Sequence, residues 1–371
     1  MRKKKILIFL PVLANGGVSK IVSDYINNMD NENFKSDIMS FFVMDDIYFK
    51  NVKNNILYVG KTKNILKRLY KEIKIIKKGN YDVIHINGDN FGRLIECISA
   101  KIAGVKKIII HSHSSSSTKK DNLITRQLRK ILRKFFDYFA TDYFACSDEA
   151  AKWLFSKKIY NTKKYVIINN GIDVERFQFD KNMRIKLRNK LEIDKNQIVI
   201  GFVGRLADVK NPLFLLDILN ECKKIHNNAL LMIIGTGELY DEMNKTISEM
   251  HLEKNVIFIG NIKNVYDYYN AMDCFVLPSK FEGLPIVSVE AQTNGLEIFL
   301  SDKITKETKI TDLVQFLPIE NGDERKWARQ ILHSNQYEKI NERKEYAKKV
   351  LDANFDIKKV VNELCKNYCS D

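Results

Sequence analysis

Two loops in the second half of the chain carry side chains that could hold a diphosphate and a sugar. Residues 202–212, Phe-Val-Gly-Arg-Leu-Ala-Asp-Val-Lys-Asn-Pro, read as the end of a strand, a short loop bearing Arg205 and Lys210, and a helix opening with Asn211 as N-cap and Pro212 at its first position. A helix N-terminus with unpaired N–H groups and two cations beside it suits a diphosphate; the alternative reading is a surface Arg and Lys in a βα loop. Residues 278–290, Pro-Ser-Lys-Phe-Glu-Gly-Leu-Pro-Ile-Val-Ser-Val-Glu, repeat the strand-to-helix scheme. Here Gly283 lets the backbone approach a ligand and Leu284-Pro285 lead into the helix, with Glu282 in the loop and Glu290 about two turns into the helix. Carboxylates at the C-terminal end of a parallel strand can accept hydrogen bonds from vicinal hydroxyls of a sugar or ribose. The competing reading is a solvated Glu at a helix start plus a second on an exposed face, although Val287, Val289 and Ala291 argue against exposure of Glu290.

Two glycine turns sit at further strand ends: Asn15-Gly16-Gly17 in the first half, and Gly235-Thr236-Gly237-Glu238 in the second. Neither is a G-x-G-x-x-G dinucleotide fingerprint, and their weight comes from repeated placement at strand ends. His111-Ser112-His113 follows another strand, where an imidazole can hydrogen-bond a substrate or stand beside a phosphate. His113 is the first choice for this role and His111 the second. Metal chelation is the weaker reading of the pair, because no third ligand and no D-x-D pair accompany it.

These loops need a scaffold that brings strand ends together. Eleven short apolar runs rich in Ile, Val and Phe, from Ile6–Leu10 to Glu297–Leu300, alternate with segments of helical spacing. Continuous apolar runs between helices mark parallel strands buried on both faces, and eleven of them in 371 residues predict two doubly wound α/β domains rather than one. The predicted division is an N-terminal domain over 1–172, a linker over 173–195 and a C-terminal domain over 196–354. A last helix near 355–371, apolar at Val360, Val361, Leu364 and Tyr368, packs back on the first domain.

Composition excludes several classes. No apolar run approaches a membrane span, and Ile6–Leu13, interrupted by Pro11, is short for a signal peptide. The six cysteines form no C-x-x-C pair, which speaks for reducing cytoplasm rather than a disulfide framework. Residues 1–180 hold 33 Lys and Arg against 18 Asp and Glu, whereas the remainder is balanced at 28 against 28. The whole net charge of +15 therefore lies in the first half, which implies an anionic partner for that domain. Two amphipathic segments concentrate it. In 61–78, Ile65, Leu69, Ile73 and Ile76 oppose Lys67, Lys71, Lys74 and Lys78. In 119–138, Ile124, Leu128, Ile131 and Phe135 oppose Arg126, Arg129, Lys130, Arg133 and Lys134. Either the apolar stripes pack on the sheet and the basic faces are merely solvated, or the basic faces meet anionic lipid.

Taken together, Gly204-Arg205 to Lys210-Asn211-Pro212, Gly235-Thr236-Gly237, and Pro278-Ser279 to Glu282-Gly283-Leu284-Pro285 to Glu290-Ala291 resemble the retaining glycosyltransferases of family 4, over nearly the whole chain. Glu282-x7-Glu290 matches the family's E-x7-E pattern, and Ala145-Cys146-Ser147 and Ser301-Asp302 look most like bacterial capsule and exopolysaccharide enzymes. The resemblance implies a GT-B fold: two Rossmann-like domains with the active site in the cleft between them. It implies that Arg205 and Lys210 hold the donor diphosphate and Glu290 the ribose. Glu282 with the Gly283–Pro285 backbone would hold the transferred sugar, Gly16-Gly17 would lie between phosphate and acceptor, Gly235 and Gly237 would line the donor site, and His113 would be the catalytic histidine. The implied reaction is retaining hexosyl transfer from a nucleotide sugar, UDP-linked by default, to a lipid-linked saccharide, with no cofactor or metal and with fixed cations in the metal's place. The implied location is cytoplasmic, peripheral on the inner face of the membrane. Val18-Ser19, where an acidic residue is frequent, and Gly295-Leu296-Glu297, where proline is frequent, depart from the pattern. Two other readings remain at this stage: another GT-B nucleotide-sugar enzyme, such as an epimerase or hydrolase, and a basic nucleic-acid-binding protein. The latter leaves the Arg205-to-Glu290 constellation without a role.

Overall fold

The computed structural model describes residues 2–14, 16–44, 48–50, 52, 54–88, 90–113, 123–226, 228–333 and 340–370, and the side chains of 123–126, 129 and 130 are not among those described. Asn15, the serine run at 114–117 and the side chains of Ile124, Arg126, Arg129 and Lys130 thus lie outside the described part. The chain divides into two units, one of Met1–Gly171 with Ile357–Asp371 and one of Ile172–Asp356.

The first unit is built on β1 (Lys4–Phe9), β2 (Val12–Leu13), β3 (Phe34–Ser40), β4 (Phe42–Val43), β5 (Ile56–Tyr58), β6 (Val83–Asn87), β7 (Lys107–Ser112), β8 (Asp142–Ala145) and β9 (Val166–Ile167). Seven of these form a parallel sheet in the order β5-β3-β1-β6-β7-β8-β9, while β2 and β4 pair separately. Its helices are α1 (Gly17–Asn28), α2 (Ile65–Gly79), α3 (Leu94–Ala103), α4 (Leu123–Phe139), α5 (Asp148–Leu154) and α6 (Lys157–Asn161). The central strands β1, β6 and β7 are buried along almost their whole length, as apolar runs covered on both faces must be. Strand order reverses at β1 and β6, so the loops after these strands open the crevice where such sheets bind ligands.

The second unit comprises α7 (Val174–Phe177), α8 (Lys181–Lys190), β10 (Ile198–Val203), α9 (Pro212–Ile225), β11 (Ala229–Ile234), α10 (Tyr240–Glu249), β12 (Val256–Gly260), α11 (Val265–Tyr269), β13 (Cys274–Leu277), α12 (Ile286–Thr293), β14 (Glu297–Ser301), β15 (Val314–Leu317), α13 (Glu324–Leu332) and α14 (Tyr346–Asp352). Its six parallel strands run in the order β12-β11-β10-β13-β14-β15, reversing at β10 and β13. The final helix, α15 (Ile357–Cys369), counts with the first unit, where it packs on α1 and buries Ile357, Val360, Val361, Leu364 and Tyr368.

Three sequence expectations change. Residues 173–195 are not a free linker: they form α7 and α8 in the second unit, because Arg184 and Arg188 are buried rather than solvated. Arg184 donates to the carbonyls of Asn270, Ala271 and Met272 and pairs with Asp273, to which Arg188 also donates at 3.1 Å. Strands β5 and β15 carry no signal in the sequence reading, since one has three residues and the other is broken by Gln315, both at sheet edges. The third change concerns α4. Its buried side is Phe136, with Leu132 and Phe139 partly covered, while Leu128, Ile131, Phe135 and Tyr138 face outward at 46–73% exposure. The apolar arc of this helix is wider than the sheet can cover, so three members of the stripe read from spacing, Leu128, Ile131 and Phe135, lie on the surface.

Candidate functional site

In the second unit the two chemistry-bearing loops follow β10 and β13, the adjacent strands at which the sheet order reverses. Their backbones touch where Lys280 N–H donates to the Val209 carbonyl at 2.9 Å, and Lys280 also pairs with Asp208 at 2.6 Å. Lys210 Nζ donates to Glu282 Oε1, and Ser279 Oγ donates to the same oxygen at 3.0 Å. Both partners of this ion pair are largely but not wholly covered. Arg205, by contrast, is exposed and meets the equally open Glu238 at 3.1 Å. An open pair of this kind contributes little to stability, so the guanidinium is available to a stronger anion.

A helix starts from each of these two loops, α9 and α12. Asn211 stands at the N-cap position of α9, but it adopts the left-handed conformation (φ 54°, ψ 49°) and its side chain makes no capping bond, which corrects the cap expected from sequence. Pro285 precedes α12 and offers no side-chain acceptor either. First-turn N–H groups left without a side-chain cap, next to Arg205 and Lys210, are suited to phosphate oxygens.

Glu290 is buried on α12, and its Oε2 accepts from the Tyr269 hydroxyl at 2.8 Å. Burial, and then the nearby carboxylate, push the Tyr269 hydroxyl well above its ordinary range, so the tyrosine stays a donor. Gly235 and Gly237 are set tightly against the neighbouring loop. A Cβ on Gly235, whose φ is +132°, would fall 2.0 Å from the Gly204 carbonyl oxygen, and one on Gly237 would fall 2.3 Å from that of Leu206. These glycines let the β11 loop lie directly against the Arg205 loop, held by Leu206 N–H to Thr236 O at 3.0 Å and Leu239 N–H to Leu206 O at 3.0 Å.

In the first unit, Gly16 and Gly17 open α1, and a Cβ added at either meets nothing within 4 Å. Packing does not demand glycine there, which leaves open space above the helix start. His113, at the end of β7, is buried with Nε2 2.8 Å from Asn87 Oδ1 and Nδ1 3.3 Å from Asn170 Oδ1. His111 lies beneath it with ring centroids 4.0 Å apart, and is itself fully buried. Burial, and then His113, depress His111 well below the usual imidazole range. Sequence reasoning missed Asn87, Asn170, Ser279, Glu238 and Tyr269. Asn170 stands in an Asn-Gly dipeptide, Ser279 lies inside the 278–290 loop, and Glu238 closes the Gly235 turn. Asn87 and Tyr269 carry no local signal at all.

Comparison with known proteins agrees with this geometry. Residues 15–176 match the model of Glycosyltransferase Family 4, and residues 183–350 match that of Glycosyl transferases group 1. The chain belongs to the family-4-type glycosyltransferases. This glycosyltransferase is 30% identical over 249 residues to the Escherichia coli UDP-Gal:alpha-D-GlcNAc-diphosphoundecaprenol alpha-1,3-galactosyltransferase, a match covering 64% of the chain and 62% of that enzyme. It is 30% identical over 246 residues to the capsular polysaccharide biosynthesis glycosyltransferase CapH of Staphylococcus aureus, covering 65% of each. The crystal structure of Anabaena Alr3699/HepE in complex with UDP and glucose is similar in fold, with a TM-score of 0.81 at 17% identity over 99% of this chain and 100% of that one. The fold of the glycosyltransferase is therefore GT-B, as the motifs imply.

Proposed function

We propose that this glycosyltransferase is a retaining, metal-independent hexosyltransferase of capsule or exopolysaccharide synthesis. It moves a hexose or N-acetylhexosamine from a UDP-linked donor to a lipid-linked saccharide. The observation that carries this reading is the convergence of Arg205, Lys210 and two helix N-termini without side-chain caps at the strand-order reversal of the second sheet. Such a place holds a diphosphate and stabilises the charge that develops on it as it leaves. Glu282 and the Gly283–Pro285 backbone bind the sugar, and Glu290 takes the ribose hydroxyls. The bond from the anomeric carbon to the leaving phosphate breaks, and a bond to the acceptor oxygen forms on the same face. The acceptor proton passes to the departing phosphate oxygen, so no dedicated base is needed. His113 is the histidine proposed to serve the reaction. The E. coli relative's own name specifies a UDP-sugar and a diphosphoundecaprenol-linked acceptor, which supports this substrate class.

The surface of the first unit supports a lipid acceptor and peripheral binding to the inner face of the membrane. No described helix is long and apolar enough to cross a membrane. Instead, a groove of about 400 Å³ at the ends of β3 and β5 is lined by Phe41, Phe42, Lys61, Lys63 and Arg68, and neither Lys61 nor Lys63 forms an ion pair among the described residues. Exposed Ile65, Leu66 and Tyr70 follow on α2. Cations beside exposed apolar side chains suit an anionic amphiphile.

The test is a transfer assay in EDTA with UDP-sugars and a prenyl-diphosphate-linked saccharide, with product anomeric configuration read by NMR. Retention with full activity in EDTA is the expected result. Inversion, a metal requirement, or turnover of donor without acceptor would overturn the reading.

A further inference from the structure

The geometry points to Tyr368, on the last helix, as a positioning residue that holds His113 in place through His85 and His111. Four side chains from three separate parts of the chain form one continuous stack inside the first unit. The Tyr368 hydroxyl lies 2.7 Å from His85 Nδ1, and His85 Nε2 lies 3.0 Å from His111 Nδ1. The His111 ring then rests against His113, and Tyr25 lies parallel to His111 at 6.5 Å. Phe144 closes the stack edge-on against both His85 and His111, each with ring centroids 5.9 Å away.

All three inner groups are fully buried, and hydrogen counting sets the direction of the chain. If Tyr368 donates to His85, then His85 Nε2–H donates to His111 Nδ1, and the only group left unpaired is His111 Nε2. The reverse direction would strand both the tyrosine proton and the His111 Nε2 lone pair. The forward direction therefore costs less, and it requires both imidazoles to be neutral. Burial keeps them so, depressing His85 to about 3 and His111 well below its ordinary range.

Tyr368 thus fixes one tautomer at His85 and one at His111, and with them the plane on which His113 lies. Asn87 and Asn170 hold the edges of His113, but its face is set by His111. A helix that follows the second unit in sequence in this way completes the only histidine here assigned to the chemistry. This inference rests on the proposed role of His113, but its first test does not depend on activity.

Tyr368→Phe keeps the ring and its packing and removes only the hydroxyl. Nitrogen NMR of the imidazoles is expected to show His85 and His111 each as a single tautomer in the natural protein and as mixtures in Tyr368→Phe, with a shift at the His113 nitrogens. Transfer should then lose about tenfold in kcat with both KM values within about twofold, since a displaced reacting group costs rate rather than affinity. Val361→Ala, on the same buried stripe of the helix, is the structural control: it should lower the Tm and leave the imidazole signals and kcat alone. Unchanged imidazole signals in Tyr368→Phe would overturn the hydrogen-bond chain. Changed signals with unchanged kcat, or equal kcat losses in the two variants, would overturn the positioning role. If the natural protein transfers no sugar, the His113 nitrogen shift still decides whether Tyr368 acts on His113, and the failure belongs to the proposed function.

Discussion

Lys210, on the loop after β10, donates to Glu282, on the loop after β13, so the cation assigned to the donor diphosphate is neutralised by the carboxylate assigned to the sugar. Removing either partner has opposite consequences for the bare nucleotide. Lys210→Ala deletes the cation, and both UDP affinity and transfer should fall, the latter by about 10²–10³, as when one donor to a developing oxyanion is removed. Glu282→Ala frees Lys210 for phosphate, so UDP should bind as well or better while transfer collapses. Calorimetric titration with UDP beside a transfer assay distinguishes the two; parallel losses of UDP affinity would refute the division of labour.

Glu290 and Tyr269 form a second pair whose members should separate cleanly. Tyr269→Phe removes a donor from a buried carboxylate and should lower folding stability by about 1–3 kcal/mol. Glu290→Gln retains an acceptor for the tyrosine and should leave stability nearly intact, yet weaken UDP binding by about 10–100-fold, the worth of hydrogen bonds to a charged acceptor. Denaturant melts and UDP titrations on the two variants read these effects, and equal UDP affinity in Glu290→Gln and the natural protein would remove the ribose from Glu290.

The two glycine pairs should behave as opposites. Gly235→Ala places a Cβ 2.0 Å from a backbone oxygen at a positive φ, and the strain should cost about 2–3 kcal/mol and loosen the Arg205 loop. Gly16→Ala meets nothing within 4 Å, so its Tm should not fall. A loss of transfer in Gly16→Ala without loss of Tm would mark that space as the substrate's, and full activity would show that the open helix start is not used.

The buried imidazoles impose a pH dependence on stability. His85 and His111 stay neutral in the folded protein, whereas in the unfolded chain each takes a proton below about pH 6.5. The unfolded state therefore binds more protons in acid. Stability is at its full value above that pH and declines as pH falls toward 3, by up to about 1.4 kcal/mol per pH unit for one such site. Urea melts from pH 7 to pH 4.5 should show this decline, and it should be shallower in His85→Gln. Identical slopes would mean that other groups set the acid limit.

Much of the candidate donor site was legible because it sits in contiguous loops. Arg205, Lys210, Glu282 and Glu290 are each placed by a strand-to-helix turn whose Gly and Pro residues mark it locally. What sequence could not show are relations across strands and faces. Nothing near Asp273 announces that it buries two arginines of α8, so a charged stretch reads as a linker. The reason for Gly235 lies in the backbone of Gly204, 31 positions away, and Tyr368 reads as one apolar member of a helix stripe although its hydroxyl ends a chain of histidines. The spacing of α4 shows an apolar stripe but neither which part of a wide apolar arc is covered nor that Arg133 turns in to donate to the Trp153 carbonyl.

That uncovered part of α4 leads to the last expectation. Leu128, Ile131, Phe135 and Tyr138 recur at helical spacing on the surface, with Lys134 exposed beside them. If the basic faces alone meet lipid, binding to anionic vesicles should vanish as salt rises, because screening shortens the reach of surface charge. If the apolar row also enters the interface, part of the binding should survive high salt, and it is this part that Ile131→Ser and Phe135→Ser should remove. Burying one such side chain is worth about 1.5–3 kcal/mol, so each substitution should weaken vesicle binding by about 10–100-fold at high salt. Lys67→Glu and Lys74→Glu on α2 should instead act at low salt only. Sedimentation with vesicles of defined anionic lipid content at two salt concentrations makes the comparison, and binding equally insensitive to both sets of changes would leave α4 and α2 as solvated surfaces.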